Sequence, residues 1–245
     1  MGIKHKVNEQ FFEKWNSEMA YVLGYWYADG NLLDASNYMR GKYVSVTSID
    51  QNTIVKLKAL LDSEHKIVKC PPTTIGGHER YLLRIGSHKL YESLIHRGLY
   101  PNKSLTIRFP EIPKRFLASF VRGYFDGDGC VYLERSVGKR HNLIIKRLRT
   151  IFTSGSEKFL LDLKKKMEDS LKLKKGKVFF SHRSFQLVYP TSESLPIFKF
   201  MYRSVHGPLF LERKLKKFLE YLKLRPQRVD KEIEHIIRCL QMATW

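Results

Sequence analysis

Val22-Leu23-Gly24-Tyr25-Trp26-Tyr27-Ala28-Asp29-Gly30 returns later in the chain as Val121-Arg122-Gly123-Tyr124-Phe125-Asp126-Gly127-Asp128-Gly129. The terminal carboxylates of the two copies, Asp29 and Asp128, lie 99 positions apart. Each copy reads as an apolar helix with small residues on one face, stopped by an acidic turn. Gly24, Ala28, Gly123 and Gly127 remove bulk from that face, so two such helices can approach near the lower end of the usual interaxial distance, roughly 8 Å. Close packing would bring two carboxylates together, and a pair of carboxylates is a site for a divalent metal.

The internal repeat divides the 245 residues into two similar halves, 1–110 and 111–224, with a helical extension over 225–245. In the first half, residues 19–27 are too rich in Gly and Ala for a strand and follow the N-cap candidates Asn16 and Ser17. The alternating β-branched run 43–47 predicts a strand, and residues 50–61 carry Ile54, Leu57 and Leu61 at helical spacing. Residues 67–68 and 80–85 flank a turn region with Pro71-Pro72 and Gly76-Gly77, which predicts a hairpin, and a further helix begins over 90–95. From Pro113, a first-turn proline, the order returns as helix 116–125, strand 147–154, helix 157–167, strands 178–180 and 185–189, and helix 195–202. Aligning Thr47 with Thr153 gives an offset of 106 where the acids give 99, an insertion of seven residues assigned to the basic loop 135–146. The unit is αββαββα, used twice, and the fold class is α+β. Arg225-Pro226-Gln227-Arg228 reads as a hinge, and residues 232–242 as a short amphipathic helix that packs on the second half or meets a partner.

Lys plus Arg total 44 against 24 Asp plus Glu, a formal charge of +20 that attracts polyanions over long range and puts nucleic acid first among partners. There is no run of 18 apolar residues and no lipidation pattern, so no membrane partner is expected. The start Met-Gly-Ile-Lys-His lacks the apolar stretch of a signal peptide, and the expectation is a soluble, intracellular protein. Cys70, Cys130 and Cys239 lack Cys-x-x-Cys spacing and are read as free thiols; the nine histidines include no His-x-x-x-His pair, and His141-Asn142 is assigned to solvent or phosphate. An EF-hand reading of Asp126-Gly127-Asp128-Gly129 fails, because Cys130 and Val137 fall where oxygen ligands are required.

On these motifs, spacings and charge, the chain resembles a single-chain LAGLIDADG homing endonuclease (dodecapeptide or DOD family) over residues 17–222. The copies depart from that pattern at Tyr27, where Asp is common, and at Arg122, where a small residue is usual. The resemblance implies motif helices packed at a pseudo-twofold axis, antiparallel sheets forming a DNA-binding saddle, and metal held by the last acid of each copy, Asp29 and Asp128. It also implies a catalytic lysine per half: Lys103 in Pro101-Asn102-Lys103-Ser104, and Lys214 in Glu212-Arg213-Lys214 with Arg213 as the alternative. Phosphate contact or a solvated charge is the other reading of each.

The chemistry of the acids can be argued without the family. Each sits at a predicted helix C-terminus, where the macrodipole disfavours a carboxylate by about 0.3 to 1 kcal/mol. Bringing both together adds like-charge repulsion that a cation relieves. Mg²⁺ is the expected cofactor, since it combines one or two carboxylates with substrate phosphate; Mn²⁺ is expected to substitute and Ca²⁺ to support binding without cleavage. Asp126 is either a cap or outer ligand, or a direct one. Ser48 and Ser154 either position water or cap helices.

A two-stranded ribbon fits the major groove, and Arg40, Lys42, Arg80, Arg84, Arg147, Arg149, Lys177, Arg183 and Gln186 are the candidates for base edges or phosphates. The unlike loops of the halves imply an asymmetric site. The function expected is a monomeric, Mg²⁺-dependent endonuclease that breaks both strands of a long double-stranded DNA site; the resemblance adds cleavage across the minor groove and short 3′ overhangs. With no initial Cys or Ser and no terminal His-Asn, a free-standing or intron-encoded enzyme is expected over an intein. The alternatives are an RNA maturase that assists splicing and binds intron RNA, and a cleavage-inactive DNA-binding regulator, which would be expected to have lost an acid.

Overall fold

The first motif copy forms helix α1 (Ser17–Asp29), capped by Asn16, whose side-chain oxygen accepts the Met19 N–H at 2.7 Å. The computed structural model describes residues 5–36, 41–72, 76–137, 143–205 and 207–242. Residues Met19 to Tyr27 of α1 are all buried, so this helix has no solvent face along that stretch and is held by packing around its circumference.

Strand β1 (Gly30–Asp34) follows α1 without a connecting loop and pairs antiparallel with β2 (Lys42–Ser48), Gly30 opposite Val46 and Asp34 opposite Lys42. Helix α2 (Gln51–Leu60), strands β3 (Ile67–Cys70) and β4 (Arg80–Gly86) and helix α3 (His88–His96) complete the first repeat, and the sheet order is β1-β2-β4-β3. Val44, Val46, Leu83 and Ile85 form one buried face, against which α2 and α3 pack. Placing β1 escaped the sequence reading, because a five-residue strand with Leu32 as its one buried large side chain leaves too little alternation to detect.

The second repeat runs α4 (Leu117–Asp128), β5 (Gly129–Val137), β6 (Leu143–Ser154), α5 (Glu157–Leu171), β7 (Lys177–Ser181), β8 (Ser184–Tyr189) and α6 (Thr191–Tyr202), with sheet order β5-β6-β8-β7. Pro113 lies ahead of a 3₁₀ turn, Lys114–Phe116, rather than in the first turn of α4 itself. Part of the basic loop 135–146 is paired strand: Arg135, Ser136 and Val137 oppose Ile145, Ile144 and Leu143, and the register shifts between Glu134 and Arg135. Ile144 and Ile145 favour extended backbone and lengthen this hairpin to strands of 9 and 12 residues, against 5 and 7 in β1 and β2. His141-Asn142 falls outside the described residues.

Two helices close the chain, α7 (Glu212–Leu224) and α8 (Lys231–Met242), which brings the helices of the described residues to eight. The first was not anticipated, although Leu215, Phe218 and Leu222 stand at helical spacing with charged residues on the opposite face. Helix α8 buries Ile233, Ile236 and Leu240 and packs against α6, where Lys199 pairs with Asp230 and Glu232 and Arg203 pairs with Glu232. The expected hinge is a 3₁₀ turn, Pro226–Arg228, and Arg225 Nη2 ahead of it donates to the Ile145 carbonyl at 2.8 Å.

The fold is thus α+β, with two four-stranded antiparallel sheets. Contacts group it into two compact units, Met1–Lys103 with Pro110–Gly127, and Ser104–Phe109 with Asp128–Trp245. Nearly all of α4 is grouped with the first unit although its sequence opens the second repeat. No helix of the described residues is long and apolar enough to cross a membrane.

Candidate active site and nucleic-acid interface

Within the first unit, α1 and α4 meet backbone to backbone. A Cβ on Gly24 would stand 2.1 Å from the Phe120 carbonyl oxygen, and one on Gly123 would stand 1.9 Å from that of Tyr21. At the C-terminal ends of the helices, a Cβ on Gly127 would lie 2.3 Å from Ala28 Cβ and 3.2 Å from Asp29 Oδ2. Gly24, Gly123, Ala28 and Gly127 therefore all lie at this contact. Asp29 is exposed and Asp128, the last residue of α4, is half-buried.

The contact carries polar groups as well. The Tyr21 hydroxyl donates to Asp126 Oδ2 at 2.8 Å, and the Arg122 guanidinium lies over the Tyr21 ring at 5.4 Å. Arg122 and Asp126 are only 2% and 1% exposed. Burial, reinforced by the Asp126 charge and opposed by that of Arg122, holds the Tyr21 phenol well above its usual range, so it stays a donor. Asp126 thereby commits one oxygen to joining the helices, and Arg122 finds an aromatic face where the motif usually has a small side chain. Tyr27, the other departure, donates its hydroxyl to the Arg97 carbonyl at 2.7 Å and sets its ring edge-on to Phe120.

Tyr25 donates to Ser48 Oγ at 3.1 Å, and its phenol is pushed up by burial first and by the Asp29 charge second. Ser48 Oγ in turn accepts the Asp50 N–H at 3.1 Å, and Ser154 Oγ accepts the Ser156 N–H at the same distance. Each serine thus fixes the residue that precedes the following helix, but the N-caps themselves are Asp50 and Ser156, so neither Ser48 nor Ser154 is a helix cap.

Lys103 is 7% exposed, and its Nζ donates to the Ala28 carbonyl at 3.4 Å, beside Asp29 at the negative end of α1. Lys214 is 4% exposed in the first turn of α7, whereas Arg213 is exposed. Lysines are seldom buried, and here burial distinguishes Lys214 from its neighbour and likens it to Lys103.

Side chains alternate between the faces of each sheet, and the ladder registers sort the cationic candidates. Arg80 and Arg84 point away from the buried face of the first sheet, in line with Ser45, Thr47 and Leu82. Lys42 does not join them: it shares the helix-covered face with Val44 and Val46, pairs with Glu92 of α3 and lies over the Tyr91 ring at 4.9 Å. In the second sheet, Arg147, Arg149, Gln186 and Lys177 share the open face, and Arg183 is exposed in the β7–β8 turn. Arg40 lies outside the described residues. Tyr132 and Glu134, which carry no positive charge to mark them in the sequence, stand opposite Arg149 and Arg147 on that same open face.

A family model described as a LAGLIDADG-like domain matches residues 115–171. The DNA-directed RNA polymerase subunit Rpo1C of Methanocaldococcus jannaschii is 29% identical over 125 residues, 51% of this chain and 14% of that subunit's length. Among solved structures, I-DmoI in complex with DNA and Ca aligns with a TM-score of 0.54 at 20% identity, covering 86% of this chain and 99% of that one, and I-DmoI is also solved with DNA and Mn. The I-LtrWI LAGLIDADG homing endonuclease bound to target DNA aligns with a TM-score of 0.52 at 13% identity, covering 95% of this chain and 97% of that one. Residues 115–171 are thus similar to a LAGLIDADG-like domain, and the chain shares the fold seen in the I-DmoI and I-LtrWI homing endonuclease structures.

Proposed function

We propose that this chain is a monomeric, site-specific homing endonuclease that uses Mg²⁺ to hydrolyse one phosphodiester in each strand of a long, asymmetric DNA site. The observation that carries this reading is the glycine-mediated packing of α1 and α4, two motif helices that each end in an aspartate, exposed Asp29 and half-buried Asp128. The DNA in the I-DmoI and I-LtrWI structures, the charge of +20 and the arginines on the open sheet faces support a duplex substrate. Ca and Mn in the I-DmoI structures support a divalent cation.

The donor set fits Mg²⁺. Both carboxylates are hard oxygen donors at the negative ends of helices, and the Gly127 backbone leaves no side chain between α4 and Asp29 Oδ2. Among the described residues no three His, Cys, Asp or Glu side chains converge, so phosphate oxygens and water would complete the coordination, as Mg²⁺ prefers. When bound, the cation supplies charge relief on the phosphoryl oxygens and a more acidic water. Lys103, with its ammonium at the carboxylate end of α1, adds positive charge for the phosphate that reacts there, and Lys214 is assigned the same part in the second repeat. Arg80, Arg84, Arg147, Arg149, Lys177, Arg183 and Gln186 hold the duplex by its phosphates and base edges.

The test is incubation of wild type, Asp29→Asn and Asp128→Asn with a randomised duplex pool, in Mg²⁺ and in Ca²⁺. The wild type is expected to cut both strands in Mg²⁺ and to bind without cutting in Ca²⁺, while both variants bind and give no double-strand breaks. Wild-type turnover in both variants refutes the metal assignment, and binding without cleavage by the wild type in Mg²⁺ favours a DNA-binding regulator.

A further inference from the structure

On the open face of the second sheet, three side chains form one cluster around an acid. Glu134 stands directly opposite Arg147, and Tyr132 directly opposite Arg149. Glu134 Oε2 accepts from Arg149 Nη2 at 3.3 Å and pairs with Arg147 Nη1 at 3.6 Å, and the Arg149 guanidinium lies over the Tyr132 ring at 5.8 Å. Among the described residues, Glu134 is the only Asp or Glu that the ladder registers place on the open face of either sheet. A carboxylate there opposes the phosphate attraction that the other side chains provide. Stability does not account for it, since exposed ion pairs contribute only about 0 to 1 kcal/mol. The register shift directly after Glu134 is the kind of irregularity that re-aims side chains at working surfaces.

We propose that Glu134 is a specificity-determining positioning residue that holds the Arg147 and Arg149 guanidiniums in a preset orientation for bidentate readout of guanine in the major groove. Arginine pairs with guanine O6 and N7 only when its planar fork is aligned with the base edge. Left alone, a long arginine in a basic field turns to the nearest phosphate, which carries no sequence information. The shared carboxylate and the Tyr132 ring restrain both forks before DNA arrives, which lowers the ordering cost of the contact. The inference rests on the endonuclease reading above.

Sites are selected from a randomised duplex pool in Ca²⁺ by the wild type, Glu134→Ala, Glu134→Gln, and Arg147→Ala/Arg149→Ala with and without Glu134→Ala. The wild type is expected to select a site with G·C preferences. Glu134→Ala relaxes one or two adjacent G·C positions by about 5- to 100-fold, the worth of a good bidentate pair. Its binding to unselected DNA stays equal or tightens, and Glu134→Gln falls between. The arginine double variant relaxes the same positions, with no further change when Glu134 is also removed. Unchanged selection by Glu134→Ala, or a uniform loss of binding to all DNA, overturns the proposal. Further relaxation in the triple variant also overturns it, because Glu134 would then read a base itself. A wild type that selects no sequence refutes the endonuclease reading instead.

Discussion

Gly24 and Gly123 hold α1 and α4 at a separation that no other residue permits, since the atoms in the way are backbone carbonyl oxygens, which cannot rotate aside. Gly24→Ala and Gly123→Ala are each expected to lower stability by about 1 to 3 kcal/mol, as overpacking against an unyielding neighbour does. Urea unfolding should show a lower midpoint with an unchanged slope. Gly86→Ala is the comparison, because a Cβ there meets only the Tyr43 ring, at 3.3 Å. Equal losses at positions 24 and 86 would remove the close-contact explanation. The spacing of Gly and Asp in the two copies was legible in the sequence, whereas the Tyr21–Asp126 hydrogen bond was not. Two polar side chains 105 positions apart carry no local signal of their meeting.

At the scale of the element, periodicity located α1 to α6 and α8, left the regular stripe of α7 unassigned, and did not place β1, which is only five residues long, or β5, whose last three residues read as loop. The docking of α8 depends on charge. Lys199 hydrogen-bonds Asp230 and Glu232 and holds both carboxyls below their usual range. A depressed carboxyl contributes stability that is present above its unfolded pKa of about 4 and is lost as pH falls through the lower folded value. All the groups are at least partly exposed, so each pair is worth no more than about 1 kcal/mol. Hydrogen-exchange protection over residues 236–242 is expected to fall as pH drops below about 4, with less change in α5. In Lys199→Ala the pH dependence should largely disappear. Protection of α8 that is flat with pH in the wild type would show that Ile233, Ile236 and Leu240 alone hold the helix.

For the molecule as a whole, the charge of +20 sets the response to salt. If about ten phosphates are neutralised on binding, log affinity should fall against log salt with a slope of about −9, measurable by titration in Ca²⁺. A slope near zero would rule out the sheet faces as a phosphate-binding surface. The sequence by itself determined the duplication, the α+β order of the repeats, the close-packing glycines and the strong positive charge, because periodicity, small-residue spacing and net charge are properties of the chain before it folds. Only the tertiary structure decided that Lys103 and Lys214 are buried while Arg213 is exposed, that Lys42 lies under a helix, and that Glu134 binds two arginines. Burial, facing and strand register arise when distant segments pack and pair, and a one-residue change of register moves every side chain of a strand to the opposite face.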